Sequence, residues 1–224
     1  LGALVIPGLN QKAPADPAQI LAFGAFRDQG RHVLFLADSI TRFAEAHREV
    51  AVASGELPAL RGHPASTAHQ IMRLAERAGP GERGAGDITG IFSVLVAGSD
   101  MDEPVADILR GVLDGHVVLD RQIAERGRFP AIDLLRSVSR SLPEAASEEE
   151  NALIQQARGL MGAYARSEAM IRAGLYRDGE DPLLDQAIRA WPDLDAFVGE
   201  RSPDGSKAAF SRLELILRRA GVTP

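Results

Sequence analysis

A chain of 224 residues with 45% hydrophobic side chains is long enough for one large domain or two modest ones around a real core. Its net charge of −6 and pI near 5.4 argue against a broad basic face that binds nucleic acid by neutralising phosphates. It has no cysteine, which excludes disulfides, thiolate metal sites and a cysteine nucleophile. No apolar run approaches the roughly 20 residues that span a bilayer, and no basic region precedes the first apolar stretch. Neither a membrane helix nor a signal peptide is expected, and the expected compartment is the cytosol.

In chain order, Ala3 to Ile6 reads as a short strand closed by Pro7 and Gly8. Asp16 followed by Pro17 starts a helix that runs to about Gln29 and stops at Gly30. Val33 to Leu36 is an unbroken apolar block, the pattern of a parallel strand buried on both faces. A polar amphipathic helix follows from Thr41 to about Ser54. Leu57 to Pro64, with two prolines and a glycine, reads as an extended loop, and Ser66 as the cap of a helix to about Ala78. The glycine-rich run 79–86, GPGERGAG, reads as a mobile loop.

Asp87 to Gly98 is the longest apolar strand candidate. Val105 to Leu113 is helical by spacing, with Pro104 at its start. His116 to Leu119 reads as a strand, Arg121 to Arg126 as a short helix, and Pro130 to Asp133 as a strand edge. Strands alternating with helices to about Ser141 predict a parallel α/β domain, residues 1–145. After Pro143 the pattern is helical: Ser147 and Glu150 form a capping box, and Leu153, Ala157, Leu160, Tyr164 and Ile171 recur at helical steps. Asp181 with Pro182 opens another helix, Phe210 to Leu217 a last one, and Lys207 falls in a turn. Residues 146–224 are thus expected to form an α-helical domain.

The central run, residues 31–43, RHVLFLADSITRF, carries the residues that look chemical. Asp38 follows the apolar block, where a buried strand of an open α/β sheet meets the ligand crevice. The bland alternative is that Asp38 caps the next helix. The five histidines show no ligand spacing, Ser137 and Ser139 have no nucleophile elbow, and Asp100, Asp102 and Glu103 read as a helix entry. Of 25 basic residues only Lys12 and Lys207 are lysines, and neither follows a glycine. The phosphate-loop pattern G-x-x-x-x-G-K-[ST] does not occur in these residues.

Asp38 taken together with residues 97–107 (AGSDMDEPVAD), 108–121 (ILRGVLDGHVVLDR) and 124–140 (AERGRFPAIDLLRSVSR) resembles, in order and spacing, the C-terminal half of the rotary F-type-like ATPases. The nearest subgroup is the flagellum-specific and type III secretion export ATPases, which DSITRFAEAHREV and GELPALRGHP also fit. The resemblance covers roughly residues 25 to 200. It implies a P-loop NTPase (RecA-like) core, incomplete at its N-terminus, followed by a C-terminal helical domain. It also implies ATP hydrolysis with ATP and Mg2+, in a homo-hexamer that energises protein export.

By position, Asp38 matches the Walker B acid that orders Mg2+ through water together with the attacking water. Arg140 matches an arginine that reaches across a subunit boundary to the γ-phosphate. Phe129 matches an aromatic, more often tyrosine, that faces the adenine; taken alone, it reads as ordinary packing beside Pro130. A guanidinium fork suits the equatorial oxygens of a transferring phosphoryl group. The family implies a stator-like peripheral partner, a coiled-coil central stalk, exported proteins and their chaperones, and a cytoplasmic place peripheral to an inner-membrane export gate.

The family's phosphate loop, and the Gly-Glu-Arg segment that follows it, are not found ahead of the central run. The chain is therefore expected to be a piece of a longer protein, because Asp38 and Arg140 are kept together. The alternative is a catalytically inert interaction or regulatory module that docks with such a ring.

Overall fold

The computed structural model describes residues 24–99 and 101–222. The expected strand Ala3 to Ile6 and the helix start at Asp16 fall outside them. Residues 24–28 are helical, and the helix stops where expected. Gly30 takes a φ of 76° and donates its N–H to the Arg27 carbonyl, a left-handed turn that glycine adopts without steric cost. The chain divides into two compact units, one ending at Leu113 and the other beginning at Asp114.

In the first unit β1 (Val33–Ala37) and β2 (Ile88–Phe92) pair in parallel, with Val33 opposite Ile88 and Ala37 opposite Phe92. This is the parallel pairing expected from the alternation. α1 (Ile40–Ala53) leaves β1 almost directly, and α2 (Ala65–Ala75) and α3 (Pro104–Val112) follow. Ala37, Ile40, Ala44, Ile71, Leu74, Val105 and Leu109 form the core, flanked by Phe35 and Phe92, whose rings meet edge to face at 5.6 Å.

Four expectations differ here. β1 is not buried on both faces: the two-residue period turns Phe35 and Ala37 inward and leaves Leu36 50% and its partner Ile91 56% exposed. β2 ends at Phe92, not at Gly98, because a side chain takes over from the ladder: Thr41 Oγ1 accepts from the Leu95 N–H at 2.8 Å. Ser66 does not cap α2; Pro64 holds that position, and the Ser66 hydroxyl donates to Glu56 Oε2 at 2.6 Å. The loops on either side of α2 are also more ordered than their glycines and prolines suggest. Pro58 bridges Pro64 and Gly79 bridges Ile88, so each loop is closed by backbone hydrogen bonds.

In the second unit β3 (Gly115–Leu119) and β4 (Ile132–Ser139) run antiparallel, Gly115 opposite Ser139 and Leu119 opposite Ile132. The parallel alternation does not extend to this pair. A parallel return needs a crossover long enough to carry the chain back along the sheet, and the connection holds only α4 (Arg121–Glu125). β4 is correspondingly longer than the edge expected at Pro130 to Asp133.

α5 (Glu148–Arg172), α6 (Pro182–Gly199) and α7 (Gly205–Arg219) complete the unit. The capping box at Ser147 and Glu150 is present, and Asp181 caps α6 through the N–H groups of Leu183 and Leu184. α7 starts ahead of Phe210 and takes Lys207 into its first turn instead of leaving it in the loop. Leu153, Leu160, Leu184, Ala190, Ile216 and Leu217 are buried together, with Leu134 and Leu135 of β4 packed against them. Tyr164 and Trp191 stack at 4.2 Å.

Candidate active site

Two parallel strands in register bring their carboxyl ends to one place, and the residues one position beyond each end are Asp38 and Ser93. The Ser93 hydroxyl donates to Asp38 Oδ1 at 2.5 Å, and the Ser93 N–H donates to the Ala37 carbonyl at 2.9 Å. Asp38 itself is exposed, and no ion pair holds it among the described residues. It is not the helix cap. Ser39, 2% exposed, caps α1 by accepting from the Arg42 N–H, so the Asp38 carboxylate is left available for other chemistry. Thr41 fixes the same corner from the other side: its hydroxyl donates to the Leu95 carbonyl at 3.1 Å and accepts from the Leu95 N–H.

The donor set around Asp38 bears on which cation it could serve. No group of three or more His, Asp or Glu able to hold a metal occurs among the described residues. A single exposed carboxylate among hydroxyls suits Mg2+, which keeps several waters and is held by one or two carboxylates together with substrate phosphates. Glu103 stands at the N-cap of α3 without capping it through its side chain; its carboxylate accepts from the Ala97 N–H at 3.2 Å, and Asp102 lies 3.8 Å from Arg110. Asp100 lies outside the described residues.

Three of the five histidines have local partners. His47 Nδ1 lies 3.1 Å from the buried Thr67 hydroxyl, His32 pairs with Asp87 at 3.3 Å, and His116 Nε2 is 3.1 Å from the Arg136 carbonyl. His63 Nδ1 is buried without a partner among the described residues. Burial, then the nearby Arg48, lowers its pKa, against Glu45 and Glu103.

The other two candidate residues lie in the second unit. Arg140 follows β4 directly and is exposed; its N–H donates to the Asp114 carbonyl at 2.7 Å, which anchors its backbone. Phe129, between α4 and β4, is 65% exposed, so it is not the packed core residue that its neighbour Pro130 suggests. The side chain of Arg128 beside it is 9% exposed and each of its three guanidinium nitrogens donates: Nε to Asp195 Oδ1 at 3.0 Å, Nη1 to the Pro130 carbonyl and Nη2 to the Ile132 carbonyl, both at 2.7 Å. Sequence reasoning passed over Ser93, Arg128 and Asp195. For Ser93 a signal existed, a hydroxyl residue inside the apolar run Ile91 to Val96.

Two family profiles match the chain: the ATP synthase alpha/beta family, nucleotide-binding domain, over residues 18–139, and the T3SS EscN ATPase C-terminal domain over residues 146–214. Similarity thus begins ahead of residue 25 and extends beyond residue 200. The flagellum-specific ATP synthase of Caulobacter vibrioides is 45% identical over 220 residues, 95% of this chain and 49% of that protein. The assembled ATPase EscN from the enteropathogenic E. coli type III secretion system superposes with a TM-score of 0.83 at 36% identity, covering 89% of this chain and 48% of that one. EscN in complex with its central stalk EscO gives a TM-score of 0.75 at 37% identity, covering 87% and 46%. The chain spans about half the length of the relatives it matches.

Proposed function

Because the chain belongs to the ATP synthase alpha/beta family, matching its nucleotide-binding domain over more than half its length, we propose that it is the C-terminal part of an ATPase that energises protein export through a flagellar or type III secretion apparatus. The observation that carries this reading is the Asp38 corner: an exposed carboxylate at the mouth of two parallel strands, aimed by the Ser93 hydroxyl. Here Asp38 would orient the attacking water and would hold Mg2+ through water. Mg2+, when bound, neutralises charge that develops on the β and γ oxygens of ATP. In this reading the triphosphate cradle is supplied from outside these residues, in which the phosphate-loop pattern does not occur.

Arg140 supplies the second half of the site to a neighbouring subunit. Its backbone is anchored beside Asp114 while the residue is exposed, as suits a permanently charged group offered across a boundary. Phe129 faces the adenine. In this reading residues 1–145 are the ATPase core and residues 146–224 the C-terminal helical domain, a division supported by the separate profile matches on either side of residue 145.

The subunits close into a homo-hexamer. A central-stalk partner is supported by the relative whose complex is with its central stalk; in this reading the stalk is a coiled coil against the C-terminal helices, and a stator-like partner, exported proteins and chaperones complete the set. No helix among the described residues is long and apolar enough to cross a membrane. The place this reading gives the protein is cytoplasmic, peripheral to an export gate.

The missing phosphate-loop pattern favours a second reading, an inert module that docks with such a ring. Magnesium-dependent ATP turnover of the 224-residue chain and of the chain extended upstream separates the two. Turnover in the longer protein alone supports the ATPase; silence in both supports the module.

A further inference from the structure

Phe129 is a large apolar side chain, 65% exposed, in a tightly held stretch. The residue before it, Arg128, is nearly buried, and its guanidinium binds the carbonyls of Pro130 and Ile132, immediately beyond the ring. The third contact of that guanidinium leaves the loop altogether: Asp195 Oδ1 belongs to α6, 67 residues further along the chain. Arg126 closes on the same carboxylate at 3.6 Å, and its guanidinium lies 5.8 Å over the Trp191 ring. The last residue of α6 also abuts the loop, because a methyl group on Gly199 would stand 3.3 Å from the Phe129 carbonyl. A buried guanidinium must keep its anionic partner, since a charge left unpaired there is strongly unfavourable.

We propose that Asp195, acting through Arg128, is a positioning residue for the nucleotide base: α6 holds the backbone around Phe129 so that its ring forms a fixed stacking platform. This rests on the reading of Phe129 as the base-facing aromatic and deepens it, because it makes the base's fit depend on the C-terminal helices. A ring whose backbone is already held loses little freedom when a base stacks on it, and the affinity of ATP reflects that pre-organisation.

The test is steady-state ATP turnover of the full-length protein, with kcat and KM separated and melting temperature measured alongside. Phe129→Ala is expected to raise KM about tenfold with kcat little changed. Asp195→Asn is expected to raise KM in the same way by a smaller factor, and the double variant to be no worse than Phe129→Ala alone, as for residues acting as one unit. Should Asp195→Asn melt too low to assay, Gly199→Ala displaces the Phe129 carbonyl by a few tenths of an ångström and is expected to raise KM with kcat preserved. An unchanged KM in Phe129→Ala overturns the base-facing reading and the proposal with it. A raised KM in Phe129→Ala together with an unchanged KM in the α6 variants, or additive effects in the double variant, overturns the positioning role alone.

Discussion

Asp38 and Ser93 lie side by side because β1 and β2 run parallel and end in register, and the Ser93 hydroxyl spends its proton on Asp38 Oδ1 at 2.5 Å. A hydrogen bond to a charged group contributes about 1.5–3 kcal/mol. Here it also sets the direction of the carboxylate.

Ser93→Ala in the full-length protein is therefore expected to lower kcat for ATP by about ten- to a hundredfold while barely moving the melting temperature, because Asp38 is exposed and stays hydrated. Ser93→Thr keeps the hydroxyl and should keep most of the rate. Equal loss in both variants would show that the hydroxyl is not what matters.

Ser147 begins α5, the longest helix of the molecule among the described residues. Its hydroxyl oxygen accepts from the Glu150 N–H at 3.2 Å, and Glu150 Oε2 accepts from the Ser147 N–H at 2.9 Å. Ser147→Ala leaves one end of the helix uncapped and is expected to lower stability by about 1 kcal/mol, read as a shifted urea midpoint with an unchanged slope. Glu150→Gln preserves the reciprocal bond and should cost less.

His63 makes stability depend on pH with a definite sign. Burial lowers its pKa from the ordinary value of 6.5, so below that value the unfolded chain takes up the proton more readily than the folded one. The stabilisation is complete above the unfolded pKa and is lost as pH falls through the lowered one. Melting temperature should thus fall as the pH drops below about 6.5, and His63→Gln should make that fall shallower. An identical slope in the variant would place the pH dependence elsewhere.

What the sequence disclosed was chemistry confined to a few neighbouring residues. Asp181 with Pro182, Ser147 with Glu150, and Gly30 announce helix ends because a cap or a left-handed turn is specified by the residues at the end itself. The place of Asp38 at the end of its strand was legible for a similar reason, an acid after an apolar block. Where partners decide, the sequence was silent. β2 stops short because Thr41 takes the Leu95 N–H, and the return of β4 is set by how little helix separates it from β3. Ser93 acquires meaning only once its strand lies in register beside β1. Asp195 reads as one more helix acid until the fold places it on Arg128.

The central claim is that one site is shared by two subunits, with Asp38 from one and Arg140 from the next. It is tested most directly by mixing two inactive variants of the full-length protein, Asp38→Asn and Arg140→Ala, carrying different tags. Each alone is expected to lose turnover by about a thousandfold or more, with Arg140→Ala still binding nucleotide. In mixed rings, an Arg140→Ala subunit keeps Asp38 and its Asp38→Asn neighbour keeps Arg140, so intact sites reappear and a substantial fraction of turnover should return. Mixed rings that form, as shown by capture through both tags, yet stay silent would contradict the account, as would an Arg140→Ala protein that hydrolyses ATP at the parent rate.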